Sequence, residues 1–280
     1  MKVLVTGAKG MLAHDLIPIL RERHEVIPVP EEELDITKRA SLYDAVERAI
    51  PDVIINCAAY TQVDKAEEER EKAFLVNGIG VQNLALVCQE KSIPLCHVST
   101  DYVFDGTKAT AYTPFDNTNP INIYGESKLA GEKYIQWIMN RFYIVRTSWL
   151  YGKHGNNFVS TILRLAQEKQ ELEVVQDQKG SPTWTISLSR GINKLIDSGA
   201  YGIYHFTDDT GGGISWYDFA KEILRLSGSR TVVLPSSTDR FPRPAKRPPN
   251  SVLDISLFSQ VTGHKPTDWK EALREHLSQP

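Results

Sequence analysis

The chain has 280 residues, 41% of them hydrophobic, enough to bury a large core as one α/β domain or as a domain with a smaller lobe. Its formal net charge of −3 leaves no basic footprint and argues against nucleic acid as a partner. No apolar run approaches the ~20 residues of a membrane helix, and Cys57, Cys88 and Cys96 lack metal-ligand spacing and read as buried thiols of a reducing cytoplasm.

Met1-Lys2 leads directly into an apolar strand at 2–6, which predicts no signal peptide. Gly7-Ala-Lys-Gly10-Met-Leu-Ala13 follows, then an amphipathic helix to about residue 23. Strand, glycine turn and helix in that order suit a pyrophosphate, because glycine lets the backbone come close and the helix N-terminus offers free amides. Gly7 and Gly10 are therefore expected at a dinucleotide. A second strand at 25–29 ends in Pro30-Glu-Glu-Glu33 with no arginine, while Lys9 either meets a 2′-phosphate or is a solvated loop lysine. Cofactor choice stays open on this reading.

Asp35-Ile36 is expected at a strand end, where the carboxylate either accepts from adenine or caps the helix at 38–49. The buried strand 52–57 runs into Ala58-Ala59, whose small side chains leave room for a cofactor. Thr61 can donate to phosphate or ribose. Further helices are expected at 71–91 and 122–139, and strands at 93–99 and 142–147. This alternation predicts an α/β fold, a doubly wound parallel sheet with ligands at the strand C-termini.

Ser99-Thr-Asp-Tyr102 falls at such a strand end, and Tyr124-Gly-Glu-Ser-Lys128 opens the next helix. Residues four apart share a helix face, so phenol and ammonium can serve one pocket. The ammonium is expected to lower the phenol's pKa, making it a proton donor to an oxygen that receives a hydride. Tyr217-Asp-Phe-Ala-Lys221 has the same spacing with no hydroxyl-bearing strand end before it, and reads as an ordinary helix face. After Trp149 the pattern loosens. Residues 183–196 read as helix and 201–207 as a strand returning to the sheet. The dinucleotide-binding domain is thus expected over 1–149, with 182–207 packing back onto it and 150–280 mainly forming a smaller C-terminal substrate-binding lobe. Trp149 either packs on a sugar ring or belongs to the lobe boundary. Arg247, in a proline-rich loop, either pairs with a diphosphate or is solvated charge.

Taken together, Asn56-Cys-Ala-Ala-Tyr-Thr-Gln-Val-Asp64, Ser99-Thr-Asp-Tyr-Val-Phe-Asp-Gly106, Tyr124-Gly-Glu-Ser-Lys-Leu-Ala-Gly-Glu132, Arg146-Thr-Ser-Trp-Leu-Tyr151, Gly155-Asn-Asn-Phe158, Asp177-Gln-Lys-Gly-Ser-Pro-Thr183 and Arg247-Pro-Pro-Asn-Ser251 resemble the extended short-chain dehydrogenase/reductase superfamily, over nearly the whole chain. The resemblance implies a Rossmann-like fold and reduction of the C4 ketone of dTDP-4-dehydro-L-rhamnose to dTDP-L-rhamnose, usually with NADPH and sometimes with NADH. It makes Tyr124 the proton donor, Lys128 the holder of the nicotinamide ribose and Thr100 a partner of the sugar oxygen. It also puts Gly10, Met11, Leu12, Asp35, Ile36, Ala59, Tyr60 and Thr61 on the cofactor. Val63, Thr100, Asp101, Tyr102 and Trp149 fall to the sugar nucleotide. Some members dimerise around magnesium held by glutamates; Asp15 can replace one, but residues 180–189 offer no second carboxylate, so the metal is doubtful and a monomer or homodimer are both open.

Two other readings compete. A sugar-nucleotide dehydratase needs an acidic pair after the threonine, and Asp101 is followed by Tyr102 instead; an epimerase would consume no net NADPH. A non-catalytic NADP-binding subunit resembling the methionine adenosyltransferase β-subunit would not need the intact Thr100, Tyr124 and Lys128.

Overall fold

The computed structural model describes residues 1–279. At its centre run six strands, β1 (Lys2–Thr6), β2 (Glu25–Val29), β3 (Val53–Asn56), β4 (Leu95–Thr100), β5 (Phe142–Thr147) and β6 (Gly202–His205). They lie in the order β6-β5-β4-β3-β1-β2, every neighbouring pair parallel. β6 returns from far along the chain to the edge beside β5, with Tyr204 opposite Val145. The longer helices are α1 (Met11–Arg21), α2 (Arg39–Ala49), α3 (Val81–Glu90), α4 (Ile123–Ile138), α5 (Phe158–Glu168), α6 (Thr185–Ser198), α7 (Trp216–Ser227) and α8 (Trp269–Ser278).

Alternating side chains dictate two covered faces. Val3, Val5, Val53, Ile55, Tyr143 and Val145 point to one, where Leu12 and Leu16 of α1 and Leu188, Ile192 and Leu195 of α6 pack on them. Leu4, Ile54, Leu95 and Ile144 point to the other, under Leu42 of α2, Leu84 of α3 and Ile135 of α4. Around a separate core of Tyr151, Val159, Phe219 and Trp269, helices α5, α7 and α8 pack with the parallel pair Glu171–Val175 and Val232–Ser236.

Three local expectations are corrected. The helix expected over 71–91 is broken into Arg70–Phe74, a wide π-turn at Leu75–Gly80, and α3. Gly78 and Gly80 weaken the helix there, and a Cβ on Gly80 would stand 2.8 Å from Ile36 Cγ1. Inside the wide turn, Asn77 accepts from the Tyr60 N–H (2.9 Å) and donates to the Tyr60 carbonyl and the Ser127 hydroxyl (3.0 Å each). Asp35 does not sit at a strand end, since Pro30 follows β2 directly; it lies in the next loop and accepts from the Thr37 N–H (2.9 Å) and hydroxyl (2.7 Å). The helix expected from residue 183 begins at Thr185, because Thr183–Trp184 pair with Leu150–Tyr151 instead.

Candidate active site

β1 and β3 are neighbours from which the sheet is built outward in opposite directions, and a crevice opens beyond their C-termini. Gly7 turns the chain there with φ +65°, and a Cβ at this position would stand 2.6 Å from Ala58 N, so the turn and the β3 loop meet as only glycine allows. Gly10 starts α1 without a side-chain cap, which leaves the first-turn amides for an anion. A groove of about 440 Å³ runs along Gly7, Lys9, Gly10, Asp35, Ile36, Ala58, Ala59, Tyr60 and Thr61. It continues past Gly10, Cys57, Ala59 and Thr61 into a second cavity of about 590 Å³, lined by Met11, Leu12, Val63, Thr100, Asp101, Tyr102, Tyr124, Lys128 and Trp149. Lys9 reaches across the groove mouth to Glu32 at 3.0 Å. A hollow of about 740 Å³ lies at the opposite end of the strands around Ile50, Arg141 and Tyr201, away from every motif named above.

Thr100 ends β4, accepting from the Tyr102 N–H (3.2 Å) and donating to Asp101 Oδ1 (3.0 Å). Asn122 caps α4 by accepting from the Gly125 N–H (2.8 Å), which fixes where Tyr124 enters the cavity. A Cβ on Gly125 would run into the Tyr102 carbonyl, so helix and strand end are in direct contact. Lys128, 2% exposed, donates to the Val98 carbonyl at 2.7 Å and lies 3.3 Å from His97 Nε2.

The expected lowering of the Tyr124 pKa is not what the resting site shows. Burial pushes the phenol up to about 12; the Thr100 hydroxyl pulls it down and Asp101 pushes it further up. Burial brings Lys128 down to about 8, against the opposing pull of Glu132 and Cys57. The lysine's head is turned to the β4 backbone, so the phenol has a hydroxyl and a carboxyl as neighbours and no counter-charge of its own. Burial likewise raises the Asp101 carboxyl to about 7, against the Ser251 and Thr100 hydroxyls that pull it down.

Trp149 both lines the cavity and packs at the lobe boundary. Its φ is +46°, a conformation a tryptophan adopts only under constraint, and its ring stacks on Trp216 with centroids 3.5 Å apart. Gly180 makes room for it, since a Cβ there would run into the indole. Arg247 is outside the cavity lining but borders it: its guanidinium forks onto Asp64 at 2.5 and 3.0 Å and also meets the Tyr102 phenol, so it is not solvated charge. Lys221 lies over the Tyr217 ring at 5.1 Å, and that ring packs into the lobe core. Asp15 bonds the Thr185 hydroxyl, and among the described residues no group of three His, Cys, Asp or Glu is placed to hold a metal ion. The sequence reading gave no site role to Thr147, Ser148, Leu150, Gly155, Asn156 and Trp216, which also line the cavity. Trp216 had one usable signal, an aromatic opening the very helix that carries the second Tyr-x-x-x-Lys.

With this geometry in hand, the relatives are informative. The family model described as the RmlD substrate binding domain matches residues 1–280. A dTDP-4-keto-6-deoxy-D-glucose reductase of Streptomyces niveus is 43% identical, over 97% of this chain and 95% of its own. A dTDP-4-dehydrorhamnose reductase of Aggregatibacter actinomycetemcomitans is 41% identical, over 98% and 97%. The crystal structure of dTDP-4-dehydrorhamnose reductase from Bacillus anthracis in complex with NADP superposes with a TM-score of 0.94 at 42% identity, covering 99% of this chain and 98% of that one. By family model, relatives and fold alike, the chain belongs to the RmlD substrate binding domain family.

Proposed function

We propose that the protein reduces the C4 ketone of dTDP-4-dehydro-L-rhamnose to dTDP-L-rhamnose, with NADPH as preferred reductant and NADH as a substitute. The observation that carries this is the convergence of Thr100, Tyr124 and Lys128 in one cavity that is continuous with the glycine-turn groove. The groove suits a dinucleotide: its turn tolerates no Cβ at Gly7, and its helix amides are uncapped. When bound, the reduced nicotinamide supplies the hydride. Gly7, Gly10, Met11 and Leu12 hold the diphosphate; Asp35, Ile36, Ala58, Ala59, Tyr60 and Thr61 hold the adenosine side and ribose, with Lys9 at the mouth. Lys128 donates to the nicotinamide ribose. Tyr124 keeps its proton at the phenol oxygen, as a pKa of about 12 requires, and gives it to the C4 oxygen while Thr100 bonds the same atom. Val63, Asp101, Tyr102 and Trp149 contact the sugar nucleotide, with Arg247 bracing this side through Asp64.

The unit 1–149 together with 182–207 serves the cofactor, and 150–280 mainly the substrate. Thr100, Tyr124 and Lys128 all come from one chain, so in this reading a monomer or a homodimer carries the reacting trio, in the cytoplasm. No helix among the described residues is long and apolar enough to cross a membrane. The test is to supply dTDP-4-dehydrorhamnose with NADPH or NADH and identify the product; a keto sugar that consumes no reductant sinks the proposal. Tyr124→Phe is expected to lose about 10²–10⁴ in kcat while NADPH affinity holds, and wild-type turnover by that variant would refute the proton donor. The Streptomyces niveus relative motivates offering dTDP-4-keto-6-deoxy-D-glucose beside it, as the test of sugar stereochemistry.

A further inference from the structure

A chain of buried hydrogen bonds runs beneath the cavity, and its polarity follows from one atom that has no choice. The Ala58 backbone N–H can only donate, and it bonds the Asn56 side chain at 3.2 Å, so the atom that meets it is the carbonyl oxygen Oδ1. The same oxygen takes the Thr6 hydroxyl at 2.6 Å. The other end of the amide, Nδ2, therefore faces His97 Nδ1 at 2.9 Å. An NH2 group also can only donate, so Nδ1 carries no proton. Burial holds the ring well below the usual histidine range, so it is neutral and its single proton sits on Nε2. That N–H faces Lys128 Nζ at 3.3 Å, while Nζ itself donates to the Val98 carbonyl at 2.7 Å. An ammonium has three protons and no lone pair to receive an N–H; a neutral amine has one.

We propose that His97 is a positioning residue that shifts the balance of Lys128 from ammonium toward amine, with Asn56 and the Ala58 amide setting the histidine's tautomer. The groups facing Lys128 divide accordingly. Glu132 on its own helix and Cys57 beyond β3 favour the ammonium. Burial and the His97 N–H from β4 favour the amine, and Tyr124, one helical turn before it, stays a neutral phenol in the resting site. The lysine's proton is thus exchangeable near neutral pH, and the tie from Asn56 to Ala58 links that balance to the loop lining the cofactor groove. This inference rests on reading Lys128 as the cofactor-holding lysine.

Nitrogen-15 NMR of the histidine rings in the full-length resting enzyme tests it without turnover. The expected result is a neutral His97 protonated at Nε2; a ring protonated at Nδ1, or an imidazolium at neutral pH, overturns the proposal. His97→Asn keeps an acceptor for Asn56 but removes the donor aimed at Nζ. Its lysine pKa, followed by carbon-13 NMR of Lys128, is expected to rise by about one pH unit, tenfold in the protonation equilibrium. The alkaline limb of kcat/KM should rise with it while KM for the sugar nucleotide holds. A limb and a lysine signal that do not move overturn the proposal, and should that variant fail to fold, the wild-type tautomer decides. A wrong tautomer leaves the proposed reaction standing, whereas a wild-type enzyme with no reductase activity refutes the reaction and leaves the tautomer in place.

Discussion

Replacing Glu132 with alanine would leave a bare cation in the middle of the sheet. Glu132 is 0% and Arg146 2% exposed. The carboxylate accepts from Arg146 Nε at 3.0 and 3.2 Å, from Nη2 at 2.6 Å and from the Ser99 hydroxyl at 2.5 Å. His205, whose Nε2 lies 3.4 Å from Arg146 Nη1, is no substitute: burial and the guanidinium drive its pKa down to about 3, so it is neutral. Losing one member of a buried pair costs about 3–5 kcal/mol, and with no anion left to compensate the upper end is expected, a large share of the roughly 5–15 kcal/mol that holds a domain folded. Urea unfolding would report it as a lower midpoint at unchanged slope. Replacing both partners with apolar residues, Glu132→Leu with Arg146→Met, should recover most of the loss, because no charge is then stranded. A single variant costing under about 1 kcal/mol, or a double variant as costly as the two singles summed, would refute this account. Glu132→Gln carries a second signature: Glu132 favours the Lys128 ammonium, so its removal should move the alkaline limb of kcat/KM down, opposite to His97→Asn.

Gly7→Ala forces a Cβ to within 2.6 Å of Ala58 N at φ +65°; left-handed strain alone costs roughly 1–2 kcal/mol, so both thermal stability and NADPH affinity should fall, and an unchanged fluorescence titration with NADPH would count against the groove. Trp216→Ala removes the stacking support of Trp149, worth about 1 kcal/mol beyond burial; KM for the sugar nucleotide should rise several-fold with NADPH affinity intact, and loss of both would place Trp216 elsewhere in the mechanism. Asp208 is buried, its Oδ2 accepting from the Trp184 N–H at 2.8 Å, and burial raises its carboxyl from 3.8 to about 7 against the opposing pull of Trp184 and Ser187. The folded state therefore keeps its proton longer than the unfolded chain, and stability from this group is lost as pH rises from about 4 to 7. Asp208→Asn should flatten that decline and stabilise the protein at pH 8, by at most roughly 4 kcal/mol; a variant whose stability follows the wild-type pH curve would remove Asp208 as its cause.

The strand alternation, the glycine turn and the shared helix face of Tyr124 and Lys128 were legible in the chain itself, because each depends on a short-range period or on backbone freedom at one glycine. They sufficed for a parallel sheet, a groove at the glycine turn and a cavity that gathers a hydroxyl, a phenol and an amine. Tertiary structure decided the rest. It separated Tyr124 from Tyr217, one at a strand-end crevice and the other in a lobe core. It turned Asn77 into a brace by widening one helical turn, engaged Arg247 with Asp64, and brought Trp216 under Trp149 from far along the chain. It also reversed the expected direction of the Tyr124 pKa, since the amine four residues on points to β4 and not to the phenol. Protonation, partner choice and ring stacking are set by what distant segments place around a group and how much water they exclude, and local spacing carries no record of either.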